Sequence, residues 1–363
     1  MNFVTRLYRG ETSFDFVGAK RMWLTMSSSF VLVSLLAIII FGLNLSLDFK
    51  GGVAVDVNNV AGVDVATVRN ALTPLGLADA KIQMLAGGDD IRVQVGALSP
   101  EESRAFQEAV AAVSGVSLAE VSVEEVGPTF GAEITKRAVI ALVVFLAAVV
   151  LFMTWRLEWK MAVSGITALF HDLIITFGVY ALTRFEVTPA TIIGVLTILG
   201  YSLYDTVVVF DKVKENIEEL HTERMTLTEL VNRSMNQVLM RSINTSLTSL
   251  LPVGSLLFVG SFLLGAHTLR DFALALFVGI AAGTYSSIGV ASPILATWKE
   301  HEDEWARVRR RKERGRGDGT PRRAKATVVE TTDTAPKPSQ GAPRRQSGAA
   351  PRPPKKGKKG RRR

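Results

Sequence analysis

The chain has 363 residues, a formal net charge of +8, 48% hydrophobic residues and a mean hydropathy of +0.25. It contains no cysteine, which removes disulfides, iron–sulfur clusters and thiol nucleophiles; its four histidines lack HExxH or paired-ligand spacing, so no metal and no cofactor is expected. Six apolar stretches exclude a soluble globular enzyme, and their length excludes an outer-membrane barrel, whose strands run about 10 residues with alternating polarity.

In chain order, residues 1–21 form a short basic N-terminus, and the first span covers Met22–Leu43. At 22 residues it is long for a signal-peptide core and no A-x-A site follows, so it is read as retained. Residues 44–136 carry 6 basic and 13 acidic side chains and are too long for a plain loop. Alternation predicts a strand at Val53–Val57, followed by a helix through Val65, Val68, Arg69 and Leu72 that stops at Pro74 and Gly76. Lys81–Leu85 and Ile91–Val95 flank Gly87-Gly88-Asp89-Asp90, a hairpin signal. Ser99-Pro100-Glu101-Glu102 opens a helix with a cap, proline at the first position and acids in the first turn; Gly115 closes it, and Ala119–Val123 alternates as a last strand. The order βαββαβ predicts a ferredoxin-like domain.

The remaining spans are Ala138–Trp155, Met161–Thr183, Ile192–Phe210, Ile243–Leu264 and Phe272–Trp298, a bundle over 138–298. Val209, Val213, Ile217 and Leu220 carry the fourth span onward as an amphipathic helix, and Thr226-Leu-Thr-Glu229 is a capping box opening a second one, so 211–242 reads as an amphipathic loop. Residues 299–363 hold 22 of the 42 basic side chains, a net of +14; from 307 onward they are too polar to bury a core, and the tail is expected to be disordered. The fold class is therefore an α-helical polytopic membrane protein with six transmembrane helices, an external ferredoxin-like domain between the first two, and a basic tail. Lys and Arg cluster before span one, between spans two and three, between four and five, and after six; both termini are expected in the cytoplasm. The tail has three readings: a solubilising extension, attraction to anionic lipid, or contact with RNA or the ribosome.

Ionisable groups at membrane depth are expensive and mark function. His171 and Asp172 fall near the middle of span three. They read either as a structural polar pair or as supports of a proton path. Asp205 lies six residues before Asp211, about 9 Å inside the boundary, and is the lone carboxylate of an otherwise uncharged span. Arg241 sits just before span five and reads either as a boundary cation or as a partner reaching a carboxylate. A carboxylate whose guanidinium neighbour moves is the minimum machinery of a proton relay. Gly279-Ile-Ala-Ala-Gly283 is a close-packing GxxxG step, and Thr245, Ser246, Thr248 and Ser249 give span five a hydroxyl-rich face.

Several strings occur in one order on this frame: LDFKGG at 47–52, VGPTFGAEI at 126–134, RLEW at 156–159 and His171-Asp172. GYSLYDTVVVFDKVKEN at 200–216, NQVLMRSINTSLTSL at 236–250 and VGIAAGTYSSIGVASPIL at 278–295 complete the set. Over residues 20 to 298 the chain resembles the SecF family of protein-export membrane subunits, within the RND superfamily. The resemblance implies a bacterial plasma-membrane protein that pairs with SecD, works beside the SecYEG channel and YajC, and uses inward proton flow to pull unfolded preproteins. It places the proton path at Asp205 of the GYS-x-x-DT motif and Arg241 of the R-x-x-x-T-S motif; by their place in this sequence His171, Asp172, Tyr204, Asn244, Thr245 and Ser246 are candidate supporting polar residues. Tyr204 stands where the family pattern carries Asn, and Lys212 where it often carries Arg. Two other classes remain: half of an RND-type small-molecule or lipid exporter, and a membrane scaffold without transport.

Overall fold

The computed structural model describes residues 12–85, 88–220, 225–263 and 267–317. Helix α1 (Lys20–Phe41) leads into β1 (Asn44–Leu45), a one-turn helix α2 (Leu47–Lys50) and the sheet domain. There the order is β2 (Gly52–Asn58), α3 (Val65–Leu72), β3 (Lys81–Leu85), β4 (Asp90–Val95), α4 (Pro100–Ser114) and β5 (Ser122–Val126). The strands form one antiparallel sheet in the spatial order β3-β4-β2-β5. Val53, Val55 and Val57 pair with Val95, Val93 and Ile91 on one face, where they meet Val68 and Leu72 of α3 and Phe106 and Val110 of α4 in a buried core.

Local chemistry sets the element ends. Ser99 and Glu102 close the predicted capping box of α4, and Gly115 ends it in the left-handed region. The last strand lies three residues later than expected. Ser117 and Glu120 form a capping box of their own, which winds Leu118–Glu120 into a 3₁₀ turn and delays β5 to Ser122. The tip of the predicted β3–β4 hairpin, 86–87, lies outside the described residues.

The other helices are α5 (Pro128–Arg156), α6 (Trp159–Thr183), α7 (Pro189–Leu220), α8 (Leu227–Ser255), α9 (His267–Ser286), α10 (Ser292–Lys299) and α11 (Asp303–Gly317), with β6 (Glu186–Val187) between α6 and α7. Six helical stretches are long and apolar enough to span a bilayer. The fourth span continues to Leu220 as expected, and the amphipathic helix opened at Thr226 runs without a break into span five as α8. Pro252 sits inside α8 and π-helical turns follow at Leu256–Leu263; Ser287–Ala291, ahead of Pro293, is also π-helical and joins α9 to α10. A proline lacks the N–H that would bond the carbonyl four residues back; for Pro293 that carbonyl, on Gly289, lies within the widened turn. The tail does not start as unstructured chain: acidic Asp303 and Glu304 open α11, Trp305 is buried in the bundle core, and Lys312 pairs with Glu229. Residues 318–363, with the lipid and ribosome readings placed on them, lie outside the described residues.

The bundle has an inside and a periphery. Buried residues make up 44–56% of the most apolar windows of α6, α7 and the α9–α10 span, but only 11–17% in α1, α5 and α8. The first three therefore form the interior. The double glycine after α2 locks the sheet domain to α5. Gly51 has φ 73° and Gly52 φ 136°, and a side chain on them would meet Pro128 Cα at 2.8 Å and the Val95 carbonyl at 2.2 Å. At the same end β1 pairs in parallel with β6, while Glu186 accepts from Lys81 at 2.5 Å and Gln94 at 3.1 Å.

Candidate functional site

Asp205 is buried in the middle of α7. Its Oδ1 accepts a hydrogen bond from Ser242 Oγ of α8 at 2.7 Å, and its Oδ2 has no hydrogen-bond partner. The residue before it points elsewhere. Tyr204 is exposed, and its hydroxyl accepts from a terminal nitrogen of Arg241 at 2.6 Å while the guanidinium lies 5.7 Å from the ring centre. Successive helical residues diverge by about 100°, so two adjacent pairs interlock: Asp205 with Ser242 inward, Tyr204 with Arg241 outward. Among the described residues Asp205 and Arg241 form no ion pair.

A second buried carboxylate lies one helix away. Asp172 of α6 receives Ser202 Oγ of α7 at 2.6 Å and Ser286 Oγ of α9 at 2.8 Å on Oδ2, and its Oδ1 is 3.0 Å from His171 Nδ1. Hydroxyls continue the network. Thr206 meets Ser287 at 3.0 Å, Ser246 meets Thr284 at 2.6 Å, and Ser246 donates to the Ser242 carbonyl at 2.7 Å. Thr245 donates to the Arg241 carbonyl and Asn244 is exposed, so these two expected supports lie outside the buried network. Ser242, Ser202, Ser286 and Thr206 belong to the network although sequence reading did not select them as site residues. The available signal was helical spacing for Ser202, three residues from Asp205; Thr206, adjacent to Asp205, carried none.

The sheet carries a third charged group on the face away from its core. Arg92 binds Asp56 at 3.1 Å and Glu124 at 2.7 Å beside a cavity of about 430 Å³ that Glu186, Arg270 and Asp271 also line. Burial pushes the Asp56 carboxyl above its usual range, with Arg92 opposing. Among the described residues no His, Asp or Glu cluster is arranged to hold a metal ion.

A model described as the C-terminal part of protein export membrane protein SecD/SecF matches residues 105–301, and one for the SecD/SecF GG motif matches residues 36–57, which include the Gly51-Gly52 lock. The protein translocase subunit SecF of Streptomyces coelicolor is 38% identical, with 93% of this chain and 91% of that protein covered. The chain belongs to the SecF family. The SecF subunit of Mycobacterium tuberculosis (strain H37Rv) is 42% identical over 88% of this chain and 75% of its own length. The crystal structure of SecDF from Thermus thermophilus, a translocon-associated membrane protein, superposes with a TM-score of 0.71 at 36% identity. That match covers 80% of this chain and 39% of the SecDF chain. This SecF-family chain is thus a protein translocase subunit and a multi-pass membrane protein, with an accessory role in Sec export.

Proposed function

We propose that the chain couples inward proton movement to outward pulling of preproteins, as the SecF half of a pair with SecD. The observation that carries this reading is Asp205, an interior carboxylate with one oxygen bonded to Ser242 and the other unpartnered. A proton gained or lost there changes which donors the α7–α8 contact must satisfy. Full transfer of one charge across about 100 mV is worth roughly 2.3 kcal/mol, enough to bias a two-state rearrangement about fifty-fold.

Partnering is supported by the outer face of the same contact. Tyr204 and Arg241 are exposed at the side of the bundle together with Asn244 and Thr248, a polar stripe that a protein neighbour satisfies and hydrocarbon does not. The Thermus thermophilus protein named SecDF, one chain 38% identical to this one over 38% of its own length, supports SecD as that neighbour. SecYEG, YajC and unfolded preproteins complete the proposed assembly, with both termini cytoplasmic, the sheet domain outside, and Arg241 as the mobile cation of the path.

The test is preprotein translocation into vesicles holding this chain and its SecD, with and without an imposed proton gradient. Asp205→Asn and Arg241→Met are expected to assemble and to lose the gradient-dependent increment. An unchanged response to the gradient in both variants removes the mechanism.

A further inference from the structure

Asp172 is the most enclosed carboxylate of the bundle, 1% exposed and deeper than Asp205 at 6%. A carboxylate buried there for structure alone is expected to have its neighbours satisfied. Its immediate partner is not: His171, itself 6% exposed, bonds Asp172 through Nδ1 and leaves Nε2 buried without a hydrogen-bond partner. Open hydrogen-bonding capacity therefore exists at both centres, at His171 Nε2 beside Asp172 and at Oδ2 of Asp205.

The two centres share one helix turn. Ser286 donates to Asp172 at 2.8 Å and has the Gly283 carbonyl as a second acceptor at 3.1 Å. Its neighbour Ser287 uses the same Gly283 carbonyl at 2.9 Å, contacts Thr206, and lies beside the Asp205 carboxylate without bonding Oδ2. Each hydroxyl owns one proton, so it cannot fully serve two acceptors. This is also where α9 passes into the π-helical turns Ser287–Ala291, a distortion frequent at functional sites.

We infer that Asp172, with His171, is a second proton-binding station, linked to Asp205 by the adjacent hydroxyls of Ser286 and Ser287 through their shared acceptor, the Gly283 carbonyl. The inference rests on the reading of Asp205 as a proton site and extends it. With Asp172 ionised, Ser202 and Ser286 both donate to it, as observed. When Asp172 takes up a proton it becomes a donor and Ser286 accepts from it. The Ser286 proton then turns to the Gly283 carbonyl, and Ser287 is displaced toward the open Oδ2 of Asp205. One proton thus occupies one station while hydroxyls satisfy the other. The titratable groups around Asp172 are His171 on its own helix and Tyr285 of α9, with its ring 5.9 Å from the imidazole; α7 presents the hydroxyl of Ser202. Helix α1 contributes Ser27, which bonds the Tyr285 hydroxyl at 2.5 Å.

The test is infrared difference spectroscopy of protonated carboxyl groups across a pH series, on the full chain in lipid nanodiscs. Wild type is compared with Asp172→Asn, Asp205→Asn and Ser286→Ala. Two membrane-embedded carboxyl bands are expected; Asp172→Asn loses one and Asp205→Asn the other. Ser286→Ala removes no carboxyl and keeps both bands but displaces both, which carries the test if Asp172→Asn fails to fold. Retention of both bands in Asp172→Asn, or an undisplaced Asp205 band in Ser286→Ala, overturns the second station and leaves the Asp205 reading standing. Loss of no band in Asp205→Asn overturns that earlier reading, and with it the pairing of two stations.

Discussion

Gly283 offers the sharpest test of how packing builds the site. A methyl group at this position would sit 2.8 Å from Ser202 Cβ and 3.3 Å from Ser202 Cα, both on α7. The second of these is backbone, so relief requires moving a helix rather than turning a side chain. Overpacking of this kind costs about 1–3 kcal/mol. Moving α7 also pulls Ser202 from Asp172, a 2.6 Å hydrogen bond to an acidic group of a type worth about 1.5–3 kcal/mol when the acceptor is charged. Gly283→Ala is therefore expected to destabilise the bundle by at least about 1 kcal/mol. Gly200, on α7 itself, is the internal control: an added methyl there meets nothing within 4 Å. Removing a helical glycine without a clash gains roughly 0.5–1 kcal/mol. Unfolding by denaturing detergent, followed by fluorescence of the five tryptophans, measures both. The two substitutions are expected to shift the midpoint in opposite directions. A Gly283→Ala protein as stable as Gly200→Ala would refute the claim that α7 and α9 touch backbone to backbone at the site.

Three further outcomes follow from the same structure. Hydrogen bonds from the Ser99 backbone and then its side chain hold the Glu102 carboxyl below its ordinary 4.5. A lowered folded value means that the cap's contribution is complete above the unfolded value and is lost as pH falls through the folded one; carboxyl chemical shifts across an acid titration check this, and Ser99→Ala, which keeps the backbone N–H at 2.8 Å, is expected to raise Glu102 only part of the way to the ordinary range. Removing the Lys81 partner by Lys81→Met leaves Glu186 with only Gln94 from the sheet, and faster amide exchange is expected at Glu186 and Val187, with the α4 amides unchanged. Tyr204→Phe deletes the 2.6 Å bond that holds Arg241 outward; the gradient-dependent part of translocation is expected to change while assembly with SecD is retained, and an unaltered gradient response would show that this contact is incidental.

The spans were legible because hydrophobic runs of bilayer length leave no other solution, and the βαββαβ order was legible because Ser99, Gly115 and the alternating valines are local signals. Local signals also explain the misplacement of β5. Ala119–Val123 alternates correctly, yet the Ser117–Glu120 capping box competes for the same residues and wins. At the site, Asp205 and the His171-Asp172 pair stood out as charges in apolar runs. Their hydroxyl partners did not, because Ser242, Ser202 and Ser286 are ordinary residues in small-residue helices until packing brings four helices together. The outward turn of Arg241 was likewise invisible: it depends on the pairing of two adjacent residues on each helix, Tyr204 with Arg241 and Asp205 with Ser242. The start of the tail was misjudged for a related reason, since one buried tryptophan and one ion pair anchor a helix whose composition alone reads as solvated.

In this mechanism the charge of Asp205 sets the arrangement of α7 against α8. The chain has no cysteine, so cysteines placed at the exposed positions Ile193 and Leu247 take up paired spin labels without background. The inter-label distance distribution, measured by pulsed electron resonance in the SecD complex at acid and neutral pH, is the most direct measurement. Two pH-dependent populations are expected in the otherwise wild-type chain, and a single, pH-independent one when Asp205→Asn is added. The same pH-dependent shift in the Asp205→Asn chain would contradict the mechanism.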